Sequence, residues 1–184
     1  MATIDPLQRD SQPIALPGLG RALIAAGKLG QKPAEDLYRK ALASKNSFIA
    51  ELMGSGAVSA ADLAHTLSAA FAAPLLDLDA IDTERLPKGL LDSKICIAYR
   101  VVVLSKRSNR LIVATADPSD QAAAEKIKFS TQMGVDWVIA EYDKLSKLVD
   151  ANATTATEAM EDIIGGDFEF DEAAAEAVID NGQA

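Results

Sequence analysis

Three closely spaced aspartates are the residues best suited to hold a metal ion in this chain. Asp77, Asp79 and Asp82 could present carboxylate oxygens, the ligands that Ca²⁺ and Mg²⁺ prefer. They lack the glycine and the terminal glutamate of a calcium-binding loop, so capping of helices and turns explains them better. His65 is the only histidine and Cys96 the only cysteine, which leaves no set of nitrogen and sulfur ligands for zinc. The sequence therefore predicts no metal centre.

Residues for catalysis or for phosphate binding do not form a recognisable pattern either. There is no GxxxxGK(S/T) loop, and the glycines of LPGLGRALIAAG have no preceding strand and no third glycine at dinucleotide spacing. His65 follows Ala64 on a predicted helix, where a half-buried or solvent-facing role is more common than catalysis. Because no nucleophile and base come together, we expect this chain not to be an enzyme by itself.

Charge is distributed unevenly along the 184 residues. The chain has 18 basic and 27 acidic residues, and nine of the acidic residues lie beyond Asp150, where there is no lysine or arginine. The part before that point is neutral, which argues against a nucleic-acid surface because phosphate binding needs a surplus of basic residues. The one dense basic run, residues 106–110, is better explained as a solvated hairpin tip than as a phosphate or acidic-lipid contact.

Other features predict a soluble, intracellular protein. No apolar run approaches the roughly 20 residues that a membrane span requires. The N-terminal stretch MATIDPLQRDSQ has early acidic residues and no long apolar region, unlike a secretory signal. Cys96 has no disulfide partner and lies between Ile95 and Ile97, so we expect a small core residue in a reducing cytoplasm.

The clearest folding signals lie in residues 100–148. Residues 101–104 and 111–113 are β-branched or aliphatic runs on either side of Ser108 and Asn109, which are typical turn residues. This pattern predicts a β-hairpin.

A crossover helix and a further strand are predicted after the hairpin. Asp117 suits the N-cap of a helix and Pro118 its first position, since proline has no amide hydrogen to leave unpaired. Gly134 is a natural C-terminal stop, and residues 135–140 then return as a strand. A strand, a crossover helix and a second strand can lie parallel, so the hairpin would make the sheet mixed.

The region before the sheet is predicted to form four short helices in two similar copies. LIAAGKLGQKPAEDLYRKAL and LMGSGAVSAADLAHTL both show a helix, a glycine, an apolar residue and a second helix. Gly27 and Gly56 occupy equivalent places. Ser59 and Asp62 have the spacing of a capping box, with aspartate in place of the usual glutamate. Each copy is too small to bury its own apolar face, so the two must pack together.

These patterns predict an α+β protein with a small helical lobe, a small mixed-sheet α/β lobe and an acidic connector. The boundaries are a flexible N-terminal tail over residues 1–17, the helical lobe over 18–74, the α/β lobe over 75–150 and the connector over 151–184. Within the α/β lobe, leucines at helical spacing predict two helical turns over residues 86–93.

The order of several short motifs resembles the N-terminal domain of type IV pilus assembly ATPases, the PilB branch of the type II secretion ATPase superfamily. After the two helical copies come FAAPLLDLDAID, LPKGLL, KRSNRLIVATADPSD and EKIKFSTQMGVDWVIAEYDKL. The resemblance implies a regulatory or docking module in front of a hexameric motor that extends pili at the cytoplasmic face of the inner membrane. The Walker motifs of that family lie downstream, so ATP and Mg²⁺, like the hexamer, are expected only of a missing ATPase core.

In a related subset of this family, the helical lobe binds cyclic di-GMP through two motifs of the form RLGxxL…G…Q. Here Leu19 and Gly20 match, but Gly18 stands at the arginine position and Ala41 at the glutamine position. The second copy has these residues at the equivalent positions: Ser47, Phe48, Ile49 and Ala70. Unpaired buried polar groups of the ligand would cost about 1–3 kcal/mol each. We therefore expect no tight binding of cyclic di-GMP and no nucleotide cofactor.

A lobe without its nucleotide is expected to offer a protein surface instead. The resemblance implies a PilZ-type adaptor and the inner-membrane platform of the pilus machine as partners, with no nucleic acid and no direct membrane insertion. The candidate adaptor contacts are Leu23, Tyr38, Phe48 and Met53, for which plain core packing is the simpler explanation. Two alternatives remain open: a cyclic di-GMP sensor, and the docking domain of a type II secretion ATPase.

Overall fold

The computed structural model of this protein describes residues 14–166, with side chains as far as Thr155. Within that range the helices are α1 (Gly18–Ala25), α2 (Gln31–Ser44), α3 (Phe48–Ser55), α4 (Ala60–Phe71), α5 (Ser93–Tyr99), α6 (Gln121–Thr131) and α7 (Tyr142–Gly166). The strands are β1 (Val102–Arg107), β2 (Arg110–Thr115) and β3 (Gly134–Ile139). This arrangement of a helical lobe followed by a mixed sheet confirms the predicted α+β class.

The first four helices form the two predicted copies. α1 and α2 are joined through Gly27, and α3 and α4 through Gly56; both glycines have φ of +68°, which glycine adopts without strain. Ser59 Oγ accepts a hydrogen bond from the amide of Asp62 at 3.1 Å, which is the serine half of the predicted capping box, and its hydroxyl donates to the carboxylate of Asp62 at 3.0 Å. α2 packs on α3 and α1 packs on α4, so each copy covers the apolar face of the other.

The sheet is mixed, as predicted. β1 and β2 form an antiparallel hairpin, and β2 pairs in parallel with β3 after the crossover by α6. An extended segment continues the sheet beyond β3. There the amide of Leu76 donates to the carbonyl of Ile139, and the amide of Ile139 donates to the carbonyl of Pro74, each at 2.8 Å.

One apolar core joins the two lobes. It brings Leu19 and Leu67 of the helical lobe together with Val102, Ala114 and Leu145 of the sheet and α7. A second cluster lies on the other face of the sheet, where α5 and α6 cover β1 and β2. Because burial of apolar surface is the main source of stability, the shared core holds the lobes together as one folded unit.

The predicted start of the crossover helix is wrong. α6 begins at Gln121, with Asp120 as the N-cap that accepts a hydrogen bond from the amide of Ala123 at 3.0 Å. Asp117 instead accepts from the amide of Ser119 at 2.9 Å, two residues further on. Aspartate can cap a turn as well as a helix, and here the side chain of Asp117 is used in a turn, so the helix starts later.

The predicted end of this helix is also displaced. α6 ends at Thr131, and Gln132 takes a left-handed conformation with φ of +57° as its C-cap. Gly134 is therefore free to be the first residue of β3. A C-cap without glycine gives no sequence signal, which is why the boundary was misplaced.

The helix predicted over residues 86–93 is wrong. Pro87 and Gly89, whose φ is +76°, lie in an irregular segment. The helix of this region is α5, which starts at Ser93 after Asp92 accepts a hydrogen bond from the amide of Lys94 at 2.8 Å. Proline and a left-handed glycine oppose a helix in the first segment, whereas an aspartate cap favours one in the second.

α7 extends past the predicted end of the α/β lobe. Leu145 and Val149 anchor its first turns in the core, and the helix continues to Gly166. The first part of the segment interpreted as a connector is therefore helical. Residues 1–13 and 167–184 lie outside the described residues, so the tail and the remainder of the connector stay predictions.

Candidate interaction site

The N-terminus of α1 is capped by Ser119, a residue of the α/β lobe. Pro17 precedes the helix and cannot cap it with a side-chain hydrogen bond. Instead the amide of Leu19 donates to Ser119 Oγ at 3.1 Å, across 100 positions of sequence. The Ser119 hydroxyl in turn donates to Asp117 Oδ1 at 2.6 Å. An amide that a helix leaves without a partner is thus satisfied by the α/β lobe.

Asp117 supports this contact from a half-buried position. Burial raises the pKa of its carboxyl above the usual range, and the hydrogen bonds from the hydroxyl and the amide of Ser119 oppose that rise. The carboxylate fixes the orientation of the Ser119 hydroxyl, so that its oxygen faces Leu19.

Gly18 has no room for a side chain. A Cβ atom at this position would lie 2.8 Å from the Cβ of Ser119 and 3.3 Å from Cζ of Phe71. Gly18 is the position that holds arginine in the nucleotide-binding motif this lobe resembles. Protein atoms fill the space that such an arginine would need to leave the helix.

The other three positions of the first motif copy also pack within the protein. Leu19, Gly20 and Ala41 are buried in the helical lobe. A Cβ at Gly20 would lie 3.2 Å from the ring of Phe48, so this glycine permits a close approach of the two copies. These positions serve the core, and none of them presents a polar side chain.

The four residues proposed for adaptor binding have different environments. Leu23 is fully buried and Phe48 is 9% exposed, which takes both out of the accessible surface in this fold. Tyr38 and Met53 are part-buried. The rings of Tyr38 and Phe48 are 5.5 Å apart at an interplanar angle of 78°, an edge-to-face contact. A role for Tyr38 and Met53 in partner binding stays a prediction.

An exposed apolar residue that was not predicted from the sequence lies one helical turn after Tyr38. Leu42 is 57% exposed and lies four residues after Tyr38 on α2, so the two side chains share one face of the helix. We call Tyr38 and Leu42 the α2 patch. One signal in the sequence could have identified this patch. Leu42 is an apolar residue that lies outside the stripe of α2 expected to be buried.

A charged cluster ties α2 to α3 close to this patch in sequence. Glu51 is 9% exposed and accepts hydrogen bonds from Asn46 Nδ2 at 2.9 Å and Ser44 Oγ at 3.1 Å, while Lys40 Nζ lies at 2.7 Å. The hydrogen bond from Asn46, followed by that from Lys40, lowers the pKa of Glu51 to about 2. A carboxylate held this way fixes the angle between the two copies.

We predict that Glu51 makes the stability of this lobe depend on acidic pH. Its pKa is about 2 in the folded chain and about 4.3 when unfolded, so its contribution is complete above pH ~4.3 and is lost as pH falls towards 2. Glu51→Gln should therefore be less stable than the wild type near pH 6, with a difference that shrinks by pH 3. Urea unfolding at both pH values measures this.

Glu125→Gln is the matched control, because Glu125 lies on the exposed side of α6 and its replacement leaves the Glu51 cluster intact. A stability gap between wild type and Glu51→Gln that stays the same from pH 6 to pH 3 would contradict the assignment.

The aspartates considered for metal binding have structural partners. Lys144 Nζ lies 2.8 Å from Asp77 and 2.7 Å from Asp79, which joins α7 to the segment before the sheet. Asp82 accepts from the amide of Glu84 at 3.1 Å, as expected of a capping residue. In the range that the structure describes, no three His, Cys, Asp or Glu residues are placed to share a metal ion.

The only histidine and the only cysteine of the sequence lie on different helices. His65 is exposed on α4, and Cys96 is half-buried on α5, where burial raises the pKa of its thiol. Among the described helices, none is both long enough and apolar enough to cross a bilayer.

Comparison with known proteins first shows which domain family and which solved structures this chain is similar to. Residues 71–159 match the MshEN domain, a range that covers the α/β lobe and the first part of α7. Two solved structures share the fold. A structure of MshE with cdg is 24% identical with a TM-score of 0.54, over 72% of this chain and 96% of that one. The N-terminal domain of XpsE is 21% identical with a TM-score of 0.59, over 82% of this chain and 97% of that one.

Curated relatives then narrow the class. The type IV pilus assembly ATPase PilB of Pseudomonas aeruginosa is 31% identical over 156 residues, which are 85% of this chain and 28% of the relative. PilB of Acinetobacter baylyi is 30% identical over 132 residues, or 72% of this chain and 23% of the relative. These similarities support an N-terminal domain of the type II secretion and type IV pilus ATPases. The chain spans about a quarter of the length of these relatives.

Proposed function

We propose that this chain is the regulatory and protein-docking N-terminal domain of a type IV pilus extension ATPase. Its partners would be a PilZ-type adaptor and the inner-membrane pilus platform, at the cytoplasmic face of the inner membrane. ATP, Mg²⁺ and assembly into a hexamer would belong to the ATPase core of such a protein. The similarity to PilB supports the pilus assignment over a secretion motor.

The main support for this proposal is that protein atoms occupy the space beside Gly18, where the nucleotide-binding motif would have arginine. Gly18 lacks the arginine of the motif, and Ser119 and Phe71 occupy the space beside it. Ala41 lacks the glutamine and is buried. These replacements would remove polar contacts to a dinucleotide while the helical framework is kept, which supports a protein-binding role for the lobe.

The α2 patch is the part of this lobe best suited to an adaptor. Leu42 exposes an aliphatic side chain, and Tyr38 combines an aromatic ring with a hydroxyl, a type of residue enriched where proteins bind. The ring of Phe48 packs against the ring of Tyr38 and restricts its motion. Tyr38 would therefore lose less side-chain entropy on binding a partner.

We predict that Leu42→Ala and Tyr38→Ala each weaken binding of a purified PilZ-type adaptor by about tenfold or more, because central apolar contacts dominate such interfaces. Calorimetric titration of the full chain with the adaptor measures the loss, and circular dichroism confirms that each variant is folded. Phe129→Ala is the control: Phe129 is 77% exposed on α6 in the other lobe, so affinity should not change. Equal affinity for all three variants and the wild type would remove the α2 patch from the proposal.

A second function is favoured by one specific observation. The fold neighbour MshE was solved with cdg, so cyclic di-GMP sensing by this lobe is an alternative. The sequence changes at Gly18 and Ala41 and the contact with Ser119 oppose it. Docking to a type II secretion partner is tested in the same titration, by replacing the pilus adaptor with a purified cytoplasmic domain of that system.

A further inference from the structure

A cavity of about 340 Å³ lies in the α/β lobe, at the outer edge of the sheet. Four parts of the chain form its walls: residues 83–91, α5, the residues around the start of β1, and the part of α7 after Leu148. β1 is the outer strand on this side, because β2 is its one partner in the described sheet. None of the lining residues belongs to the helical lobe, so the cavity is separate from the motif positions and from the α2 patch.

The elements around this edge leave the space because they are short or irregular. Pro87 and Gly89 prevent a helix in residues 86–91, and α5 has only seven residues. α7 packs into the core as far as Val149, which is 2% exposed, whereas residues 150–152 are exposed. Packed interiors rarely contain voids much larger than a water molecule, and small-molecule sites have volumes of roughly 300–1,000 Å³. This cavity falls within the range of such sites.

The lining is apolar at the inner end of the cavity and polar at its opening. Five of the lining residues are aliphatic and buried: Leu91, Val101, Val102, Val103 and Val149. Four are polar and exposed to solvent: Lys88, Ser93, Asn152 and Thr155. A buried apolar wall with a few polar groups at its opening fits a ligand that has an apolar body and one polar end.

The charge at the opening determines which polar end fits. Lys88 is the only charged residue among those that line the cavity, and it has no ion-pair partner in the described part of the chain. Two acidic residues on the flanking elements are already paired, Asp82 with Arg85 and Asp150 with Arg100. The opening therefore carries a positive charge that no lining residue neutralises, which favours an anionic group over a cationic one.

The volume of the cavity limits the length of the apolar body. A dry cavity of about 150 Å³ holds one six-carbon ring, so a cavity of about 340 Å³ has room for on the order of ten carbon atoms. Each methylene group that moves from water into such a space strengthens binding about fourfold. A saturated chain of this length with a terminal carboxylate therefore matches the volume, the apolar wall and the charge.

We infer that this cavity binds an aliphatic carboxylate with a chain of about ten carbons, which is a medium-chain fatty acid. The chain would lie against Val101, Val103 and Val149, and the carboxylate would lie at the opening beside Lys88. A ligand in this position would contact both α5 and α7 and so stabilise their packing. The inference does not depend on the proposed adaptor or on the helical lobe.

Titration of the full chain with decanoate, below the concentration at which it forms micelles, tests this inference. Calorimetry measures the affinity, and the rate of alkylation of Cys96 reports the location, because Cys96 is the one cysteine and lines the cavity. We expect saturable binding that slows alkylation about fivefold or more. Octanoate should bind about tenfold more weakly, since it buries two fewer methylene groups. Decyltrimethylammonium, which has the same chain length and a cationic head, should not protect Cys96 at the same concentrations.

Two pairs of matched variants locate the head group and the chain. Lys88→Glu should reverse the preference, so that decyltrimethylammonium protects Cys96 and decanoate does not. Lys94→Glu makes the same change at an exposed residue of α5 outside the lining and should keep the preference for decanoate. Ala153→Phe adds a ring to the cavity wall and should abolish protection, whereas Ala151→Phe, at an exposed position of the same helix outside the lining, should not.

Absence of saturable decanoate binding by the wild type would overturn the inference. So would equal protection of Cys96 by decanoate and decyltrimethylammonium in the wild type, or an unchanged preference in Lys88→Glu. Equal protection in Ala153→Phe and Ala151→Phe would also contradict it. Circular dichroism confirms that each variant is folded; if Ala153→Phe does not fold, the two lysine variants decide, because both lysines are exposed.

Discussion

Replacing Gly18 with alanine is expected to lower the free energy of unfolding by about 1–3 kcal/mol, the usual cost of an overpacked site. The added Cβ would lie 2.8 Å from the Cβ of Ser119, so either α1 or the loop after β2 must shift. A shift would also strain the hydrogen bond from the amide of Leu19 to Ser119 Oγ. Urea unfolding of the wild type and the variant measures the difference.

Gly54→Ala is the control for the general effect of replacing a helical glycine. Gly54 lies within α3, and no atom lies within 4 Å of the position its Cβ would take. Alanine there should raise stability by about 0.5–1 kcal/mol, because glycine loses more backbone entropy in a helix. If both substitutions stabilise the chain, the close contact between the two lobes is not present in solution.

Leu23→Ala is expected to cost about 2–5 kcal/mol, the range for a leucine truncated in a packed core. Leu23 is fully buried in the core of the helical lobe. Leu42→Ala, the same substitution on an exposed residue, should change stability by no more than about 0.5 kcal/mol. Thermal and urea unfolding measure both.

Comparing Leu42→Ala with Leu23→Ala distinguishes an effect on partner binding from an effect on folding. Leu42→Ala should keep the fold and lose adaptor affinity, whereas any loss of binding in Leu23→Ala should follow the fraction unfolded. A Leu23→Ala protein as stable as the wild type would show that the helical lobe is packed differently from the structure described above.

Local patterns were sufficient to predict most of the elements. The two aliphatic runs around Ser108 and Asn109 predicted the hairpin, since strand preference and turn chemistry agree there. Gly27 and Gly56 predicted the two copies, because a left-handed residue between short helices favours glycine. Two of the three aspartates before the sheet, Asp77 and Asp82, were also correctly interpreted as capping residues.

The predicted boundaries of helices were wrong where the local sequence allows two conformations. Asp117 can cap a helix or a turn, and the structure uses it in a turn that presents Ser119 to α1. The leucines of residues 86–93 have helical spacing, yet Pro87 and Gly89 prevent a helix. In both cases tertiary packing selects between conformations that the local sequence allows.

The candidate site was predicted in part. The absence of arginine at position 18 and of glutamine at position 41 could be read directly from the first copy of the motif. The contact of Ser119 with the start of α1 could not be predicted. Ser119 is about a hundred residues from Leu19 in sequence, and a contact over that separation leaves no periodic pattern in the sequence. Leu42 was missed because helical spacing identifies the buried stripe of a helix and does not report which remaining residues are exposed.

Calorimetric titration of the full chain with cyclic di-GMP tests most directly whether this lobe has exchanged a nucleotide site for a protein surface. Binding of the adaptor by the same preparation shows that the chain is active. We predict no saturable heat with cyclic di-GMP at concentrations up to about 100 µM, which corresponds to a binding free energy weaker than about −5.5 kcal/mol. Saturable binding with a Kd in the micromolar range or below would contradict the account.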